Sequence, residues 1–418
     1  MRRFALSLGF FTFSLTSQLS AETLNWQQSV DEAARNNAAI KSAVQSWQST
    51  RSNVRSNESA YLPQVGASFQ ANYGRNMAIP QSQAGDSYSA SISVSENIFN
   101  GWADKARIEQ ADVNASIAEA QVTIAKAQTS FELKTAYANL VYAQRAIRLQ
   151  ENIRDRRKSN LSLVDLRFEN GSENKGSVLL SKAYLDQADL NIIQARNSIT
   201  TANSQLARAI GRDEVTILKV DESIPNITTP ASVDFEALAI ATPQRTQAIL
   251  REKSADTTIT LARSGYFPTL GVSGTYGRQD DEFFPRDDSW SVGLVINVPI
   301  FNGGRDYYAT QSAISNRAAV GSTREDLDRQ LVTTLSTALA RLVEAKKNLE
   351  VAYSFLKATE MRAEIGRGRY NNGLLSFDDW DLIESDLISR QQAHILSQRD
   401  YVTAEAAWEN ALGTGSIK

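Results

Sequence analysis

Cysteine is absent from this chain of 418 residues, and histidine occurs once. Without a thiol there can be no disulfide, no thiol nucleophile and no lipidated N-terminal cysteine. The single histidine, His394, is interpreted as a packing residue, and no transition-metal site or other cofactor is expected. Long apolar runs are missing after residue 21, so no transmembrane helix is predicted. The net charge of −3 does not suggest a nucleic-acid partner.

The one apolar run lies at the N-terminus. Arg2 and Arg3 precede the apolar residues 5–15, and Ser20-Ala21 supplies small side chains for a cleavage site. This order predicts a signal peptide over residues 1–21, cleaved after Ala21. The alternative is a permanent membrane anchor, which is disfavoured because the apolar run is too short to span a bilayer.

The sequence repeats itself once. Residues 87–101 return 202 positions later as 289–303, and residues 167–171 return as 369–373 at the same offset. Four such blocks occur in one order, which indicates an internal duplication, and the period is too long for a solenoid. The predicted units are a first repeat over 22–211, a linker over 212–232, a second repeat over 233–413 and a tail over 414–418.

Each repeat has the same predicted plan, in which a helix is followed by two strands, a very long helix and a returning helix. A helix of about 65 residues would be on the order of 100 Å long, far more than one globular core needs. The fold class is therefore α+β, mostly α. The predicted bounds are about 26–60, 61–76, 87–100, 102–166 and 175–210 in the first repeat, then about 233–264, 266–279, 289–301, 304–367 and 377–412 in the second.

The returning helix of the first repeat carries an apolar seam, formed by Leu185, Ala188, Ile192, Ala195, Ile199, Ala202, Leu206 and Ala209. Spacings that alternate between three and four residues indicate a coiled coil, and the alanines allow neighbouring helices to approach closely. An isolated helical hairpin would show the same seam. It would not explain strands that lead directly into the long helices through Asn100-Gly101 and Asn302-Gly303.

The strands alternate between apolar and small polar residues, which places the two sets on opposite faces. In a tilted membrane strand of about ten residues, the apolar face would meet lipid and the polar face would line a lumen. A half-buried soluble sheet is the alternative, but aromatic residues at the strand ends favour a membrane barrel with two interface girdles. The predicted lipid-facing residues are Phe69, Ile92, Val94, Val272, Leu294 and Ile296, and the predicted lumen-facing residues are Ser68, Ser91, Ser93, Ser273 and Ser291.

Four strands cannot close a barrel, and unpaired strand edges are not tolerated in lipid. Two copies would give about eight strands around a filled interior, whereas three copies would give about twelve and leave a passage. The sequence therefore predicts a homotrimer.

The duplicated order of these elements resembles the TolC-type outer-membrane efflux proteins over essentially the whole mature chain. The motifs that carry the resemblance are the entry Tyr61-Leu62-Pro63, the exit Phe99-Asn100-Gly101 and the turn 167–171, each with its copy in the second repeat. The resemblance implies a trimer in the cell outer membrane, with a β-barrel in lipid and an α-helical barrel in the periplasm. It implies passive export of small molecules or polypeptides. The sequence itself shows no catalytic constellation, so no enzymatic activity is expected.

The resemblance also implies partners, namely a periplasmic adaptor protein and an inner-membrane transporter of the RND or ABC type. The adaptor would contact the turns through Arg167, Gly171, Arg369, Tyr370 and Gly373. A periplasmic coiled-coil adaptor or structural envelope protein is the alternative function. The basic run Arg154, Arg156, Arg157 and Lys158 is interpreted as a solvated helix face or as a further adaptor contact.

A periplasmic gate is the last feature that the resemblance implies. The family places acidic residues after the last turn as Gly-x5-Asp-x-x-Asp; here Gly373 leads to Asp379, but Leu382 stands at the second acidic position. Asp378 and Asp381 lie close by, and the three aspartates are expected to form an acidic ring at the mouth. Arg367 or Arg369 would bridge neighbouring turns. The alternative is that these aspartates only favour the start of a helix.

Overall fold

The computed structural model describes residues 22–74, 84–213, 218–224 and 233–418. The predicted signal peptide over 1–21 lies outside the described residues, as do parts of the predicted linker and of the loop between the first two strands of the sheet. None of the described helices combines the length and the apolar composition that crossing a membrane requires.

The first repeat begins with two helices where the sequence predicts one over 26–60. Strand β1 (Glu22–Leu24) is followed by α1 (Trp26–Asn36) and α2 (Ala38–Glu58). The prediction of one helix is wrong because Asn37 leaves the helical region, with ψ at 126°, and its Oδ1 accepts a hydrogen bond from the backbone N–H of Ala39 at 2.9 Å. An asparagine in this position caps the new helix.

The rest of the first repeat follows the predicted order. Its elements are β2 (Gln64–Gly74), β3 (Gly85–Asn100), α3 (Ala103–Glu169), α4 (Lys175–Ile210) and β4 (Leu218–Val220). The long helix α3 contains 67 residues and begins and ends within a few residues of the predicted bounds. Strand β4 lies inside the segment predicted as a linker.

The second repeat has the same order, and its first helix is also divided. Its elements are α5 (Phe235–Ile240), α6 (Pro243–Arg263), β5 (Thr269–Asp280), β6 (Asp287–Asn297), α7 (Arg305–Asn371) and α8 (Phe377–Ala411). The single helix predicted over 233–264 is wrong because Thr242 caps a new helix that has Pro243 in its first turn. Strand β6 ends four residues before the predicted bound of 301, where Pro299 lacks an N–H for the ladder.

Strands β2, β3, β5 and β6 form one antiparallel sheet in that order. The register is continuous except for an irregularity between Asn97 and Phe99, where β3 approaches its helix. Within the described chain β2 and β6 are therefore the edges of the sheet, one from each repeat.

Strands β1 and β4 pair in parallel and close the core at the middle of the long helices. Leu24, Leu218 and Val220 are buried there against Tyr137 of α3. The Tyr137 hydroxyl donates to the backbone carbonyl of Asp221 at 2.8 Å, and burial raises the pKa of this phenol to about 12. This part of the predicted linker is a packed element of the fold.

The helices stand in a row. In the half that ends at the hairpin turns, α4 packs on α3, α3 on α8, and α8 on α7. In the half nearer the sheet, α2 packs on α3, α3 on α6, and α6 on α7. The alanines of the predicted seam, Ala188, Ala195, Ala202 and Ala209, are buried in the α3–α4 contact as the heptad spacing requires.

The predicted tail over 414–418 packs against the first repeat. The backbone N–H of Ile417 donates to the Ser130 hydroxyl at 3.0 Å, and the Ile417 side chain is buried in the core of the first repeat. Next to it, the ammonium of Lys134 on α3 lies 3.5 Å from Glu405 and 3.2 Å from Glu409 on α8. The end of the second repeat is thus joined to the middle of the first.

Candidate functional site

The sheet keeps the two predicted sets of residues on separate faces. Residues directly opposite each other in an antiparallel pair share a face, and Ser68 opposes Ser91 while Val272 opposes Leu294. Following the register across the four strands places the predicted lipid-facing set on one face, namely Phe69, Ile92, Val94, Val272, Leu294 and Ile296. The other face holds the predicted lumen-facing set, namely Ser68, Ser91, Ser93, Ser273 and Ser291.

The apolar face is uncovered in a single chain. Ile92 is 52% exposed and Leu294 is 62% exposed, although side chains of this kind are usually buried. On the polar face the Ser68 and Ser91 hydroxyls lie 2.9 Å apart and bond to each other. A single chain therefore presents an apolar belt on one face and a row of hydroxyls on the other.

The opposite end of the molecule consists of two hairpin tips, the first at residues 170–174 and the second at 372–376. Gly171 and Gly373 have φ angles of +72° and +73°, a conformation that favours glycine. The backbone N–H of Ser172 donates to the Arg167 carbonyl at 2.8 Å, and that of Leu374 donates to the Arg369 carbonyl at 2.8 Å. Both tips thus end their long helices with the same glycine-based cap.

Tyr370 joins the two tips. Arg167 of the first tip lies over the Tyr370 ring, 4.6 Å from its centroid, and donates to the Tyr370 carbonyl at 2.7 Å. The Tyr370 hydroxyl donates to Glu173 at 3.1 Å, and its ring stacks on Trp380 at 4.2 Å. Burial, followed by the Glu173 charge, raises the pKa of this phenol, so it remains a hydrogen-bond donor at all physiological pH values.

Asp381 is held by the first repeat. Its carboxylate accepts a hydrogen bond from Arg157 of α3 at 2.7 Å, and both side chains are largely buried. Arg157 also lies over the Tyr184 ring of α4 at 4.4 Å, and burial followed by Asp381 raises the pKa of that phenol. Asp381 therefore has a cation partner within its own chain.

Asp378 and Asp379 lie at the exposed start of α8. Ser376 caps the helix, because its hydroxyl accepts from the Asp379 N–H at 3.2 Å and donates to the Asp379 carboxylate at 2.7 Å. Asp379 therefore takes part in starting the helix, and its carboxylate also remains exposed to the surroundings of the tip. These two properties are compatible.

Two arginines were predicted to bridge neighbouring turns. Arg367 donates to Glu384 on α8 at 2.8 Å, a buried acid of its own hairpin, whereas Arg369 lies exposed at the tip. In this single chain Arg367 thus joins α7 to α8, and a bridge from either arginine to another subunit stays a prediction.

The basic run was interpreted as a solvated face, and for Arg157 this is wrong. Arg157 belongs to a buried stripe along α3 with Ile153, Asn160 and Val164, at spacings of four, three and four residues. The heptad spacing was therefore the signal that could have found it. Arg154 agrees with the original interpretation, since its side chain is 43% exposed and pairs with Asp155 and Asp189.

Among the residues that the structure describes, no group of three or more acidic or histidine side chains is placed to hold a metal ion. His394 packs against Tyr353, with 5.6 Å between the ring centroids, and lies 3.1 Å from the Gln398 side chain. Burial and then Arg145 lower the pKa of this imidazole, while Glu360 opposes the shift.

Comparison with known proteins matches this chain to a family model described as outer membrane efflux protein, over residues 29–212 and 239–414. The outer membrane protein TolC of Vibrio cholerae is 24% identical, over 94% of this chain and 95% of its own length. The alkaline protease secretion protein AprF of Pseudomonas aeruginosa is 23% identical, over 97% of this chain and 88% of its own. The solved structure of the outer membrane protein VceC of Vibrio cholerae superposes with a TM-score of 0.79 at 20% identity, covering 93% of this chain and 96% of that one.

Proposed function

Because this chain belongs to the outer membrane efflux protein family, we propose that three copies assemble into one duct with a gate at the hairpin tips. The chain lies in the outer membrane, with its helical part in the periplasm, and serves as an exit duct of efflux or secretion systems.

The arrangement of the edges supports a closed ring. Each layer of the chain has an edge from the first repeat, which is β2, α2 or α4, and an edge from the second repeat, which is β6 or α7. Joining the second-repeat edge of one copy to the first-repeat edge of the next is a head-to-tail contact, which closes when the rotation fits. The strands alternate in direction, so β6 and β2 would meet in the antiparallel sense that the rest of the sheet uses.

The exposed surface of the edge helices α4 and α7 fits this contact. On α4 the exposed apolar residues include Leu179, Leu190 and Ile193, and on α7 they include Val351, Phe355, Met361 and Ile365. In each helix these residues fall on one side, as the helical repeat of 3.6 residues requires, whereas Leu180 and Tyr353 are exposed on other sides of their helices. Apolar stripes of this kind at both ends of a row are expected where copies pack together.

In the assembled duct the apolar belt would face lipid and the serine face would line the lumen. This orientation is the one that leaves no paired hydroxyl row in hydrocarbon, where polar groups are costly. A lumen of serine, glycine and threonine has little chemical preference, which fits export of small molecules or polypeptides.

At the periplasmic mouth, three copies of Asp379 and Asp378 would surround one opening. Like charges in a confined mouth concentrate cations there. The contacts of Tyr370 with Glu173 and of Arg157 with Asp381 join the two hairpins of a chain and would hold the resting state. Opening would require the second hairpin to separate from the first at these contacts.

The tips are also the surface on which a periplasmic adaptor would dock, and through it an inner-membrane transporter. Arg369 is exposed there and Leu374 is 68% exposed. Gly171 and Gly373 have open space where a Cβ would lie, so the turns form a smooth surface for a partner. The energy for export would come from these partners.

Mass measurement of the native complex in detergent tests the assembly. Each chain has a mass of 46.0 kDa with its N-terminal segment, or about 44 kDa once a signal peptide of about 21 residues is removed. The expected complex contains three chains. A dimer or a monomer extracted from native membranes would contradict the proposed duct.

A pair of matched variants sharpens the test. Ile193→Asp places a charge in the proposed contact stripe of α4, and Gln194→Asp places the same charge on the neighbouring exposed position. We expect the trimer to dissociate in the first variant and to persist in the second. Equal behaviour of the two variants would remove α4 from the contact.

A further inference from the structure

The loop between β5 and β6, residues 281–286, folds back over the apolar face of the sheet. The Phe283 ring packs edge-on against Phe69 of β2, with 5.9 Å between centroids, and against Tyr88 of β3 at 5.4 Å. Phe284 packs against Phe283 at 5.1 Å. The loop that joins β5 to β6 thus reaches β2 and β3 and adds two aromatic rings to the apolar belt.

Both phenylalanines remain exposed after this packing. Phe283 is 58% exposed and Phe284 is 80% exposed. Exposing two adjacent phenyl rings to water is unfavourable by roughly 25 cal/mol for each Å² of apolar surface. The pair lies beside Phe69 and Tyr88, on the face that carries Ile92 and Leu294.

Arg278 and Arg286 are both paired with carboxylates of the loop or of the strand ends beside it. Arg286 donates through its side chain to Asp280 at 3.4 Å and also pairs with Glu282, and Arg278 donates to Asp288 at 2.7 Å. Paired charges are less costly than single ones to bring toward a membrane interface. Aromatic rings with polar neighbours are the residues that settle at this depth.

We propose that Phe283 and Phe284 insert into the outer leaflet and anchor the β5–β6 loop to the lipid surface beside β2 and β3. The proposal rests on the orientation under the proposed function, in which the apolar face meets lipid. The two rings would contact the part of the lipid acyl chains that lies near the headgroups. They are continuous with the apolar belt of the sheet, which would contact the same leaflet. The anchor would hold the loop over the outside of the wall and away from the exit of the lumen.

The absence of cysteine allows a direct test, since a single introduced thiol is the only one in the chain. Phe284→Cys and the matched loop variant Asp281→Cys are each labelled with the fluorophore NBD and reconstituted in phosphatidylcholine vesicles. Quenching is measured with 5-doxyl phosphatidylcholine in the bilayer and, separately, with iodide in the water. Leu294→Cys is labelled in parallel because it reports the orientation of the sheet itself.

We expect the doxyl lipid to reduce the emission at position 284 about two-fold or more while iodide has little effect, as for a group at the acyl boundary. At position 281 the two quenchers should act in the reverse order. Strong lipid quenching at 294 together with iodide quenching at 284 would overturn the anchor and leave the duct intact. Iodide quenching at 294 would overturn the orientation of the sheet and the anchor with it.

Discussion

The two repeats have nearly the same backbone and different chemistry at their tips. Helices α3 and α7 both contain 67 residues and lie 202 positions apart, and both tips close on a left-handed glycine. At the same offset, however, Arg157 corresponds to Thr359 and Asp381 to Leu179, while Arg367 corresponds to Asp165 and Glu384 to Lys182. The Arg157–Asp381 pair therefore has no counterpart in the other half, whereas the charges of the Arg367–Glu384 pair are reversed at Asp165 and Lys182.

The sheet differs from the tips in this respect. Ile92 corresponds to Leu294 and Ser89 to Ser291, so each face has kept its character in both repeats. A wall that meets the same surroundings all the way round requires the same residues in each repeat. The tips instead complement each other, because the first hairpin supplies Arg157 and Glu173 and the second supplies Asp381 and Tyr370.

Breaking the ion pair between the repeats should have the largest effect on stability. In Arg157→Ala the Asp381 carboxylate loses its cation while the side chain is only 14% exposed, and removing one partner of a buried pair costs about 3–5 kcal/mol. The free energy of unfolding, measured with denaturant in detergent, should fall by an amount in this range.

Arg154→Ala is the matched control on the same helix. Its side chain is 43% exposed in its own ion pairs, and an exposed pair contributes about 0–1 kcal/mol. A loss in Arg157→Ala no larger than in the control would show that the contact between the hairpins does not hold them together.

Placing arginine on the sheet tests whether the same face meets the membrane in both repeats. Ile92→Arg and Leu294→Arg should each reduce stability by about 2–4 kcal/mol if both positions face the membrane near its centre. Ser89→Arg and Ser291→Arg should cost far less, because both serines lie on the opposite face. Stability is measured from the folded fraction in lipid vesicles at increasing denaturant. A large cost at the serines and a small one at Ile92 and Leu294 would reverse the assignment of the faces.

Cation selectivity should distinguish the two tips. Asp379→Asn removes one of the two exposed acids at the start of α8 and should reduce the preference for cations about two-fold, since charged rings govern ion entry at a mouth. Lys175→Asp introduces an acid at the exposed start of α4 in the first tip and should raise the preference. The reversal potential in planar bilayers with a salt gradient measures both.

Asp31→Asn is the control for this measurement, because it makes the same chemical change in α1, outside the two hairpins. Selectivity that is the same in Asp379→Asn, in Lys175→Asp and in the control would mean that the aspartates of α8 only start the helix.

The smallest expected effect concerns pH. His394 occupies the position that Ile192 holds in the first repeat. Burial lowers the pKa of the folded-state imidazole, so the unfolded chain takes up its proton first as the pH falls through the ordinary value. Folding stability should therefore decline on acidification from its value at neutral pH. His394→Ile should remove this component, which is seen as a shallower slope of the melting temperature between about pH 7 and pH 5. An unchanged slope would assign the acid sensitivity to other groups.

Much of the fold could be predicted because its elements are long and periodic. The strands of period two and the helices of α3, α4, α7 and α8 repeat their signal over many residues, so single exceptions do not obscure it. The interruptions at Asn37 and Thr242 were missed although the cap residues were present. In both cases a helical pattern on either side concealed a break of one or two residues.

Other features depend on contacts between distant parts of the chain. Strands β1 and β4 have three residues each, too few for any period, and they form only because their backbones meet. The start of α8 at Asp378 and Asp379 followed from local sequence. The partner of Asp381 did not, because Arg157 lies 224 positions earlier and reaches it only through the packing of α3 on α8.

The placement of α3 has a consequence for how the chain folds as it enters the periplasm. Its neighbours α6 and α8 belong to the second repeat, and Ile417, 287 positions after Ser130, completes the core beside it. Contacts so distant in sequence form slowly, because loop closure must precede them. While only the first repeat has entered the periplasm, apolar faces of α3 therefore remain uncovered. The chain needs protection from aggregation until α8 and the tail with Ile417 have followed.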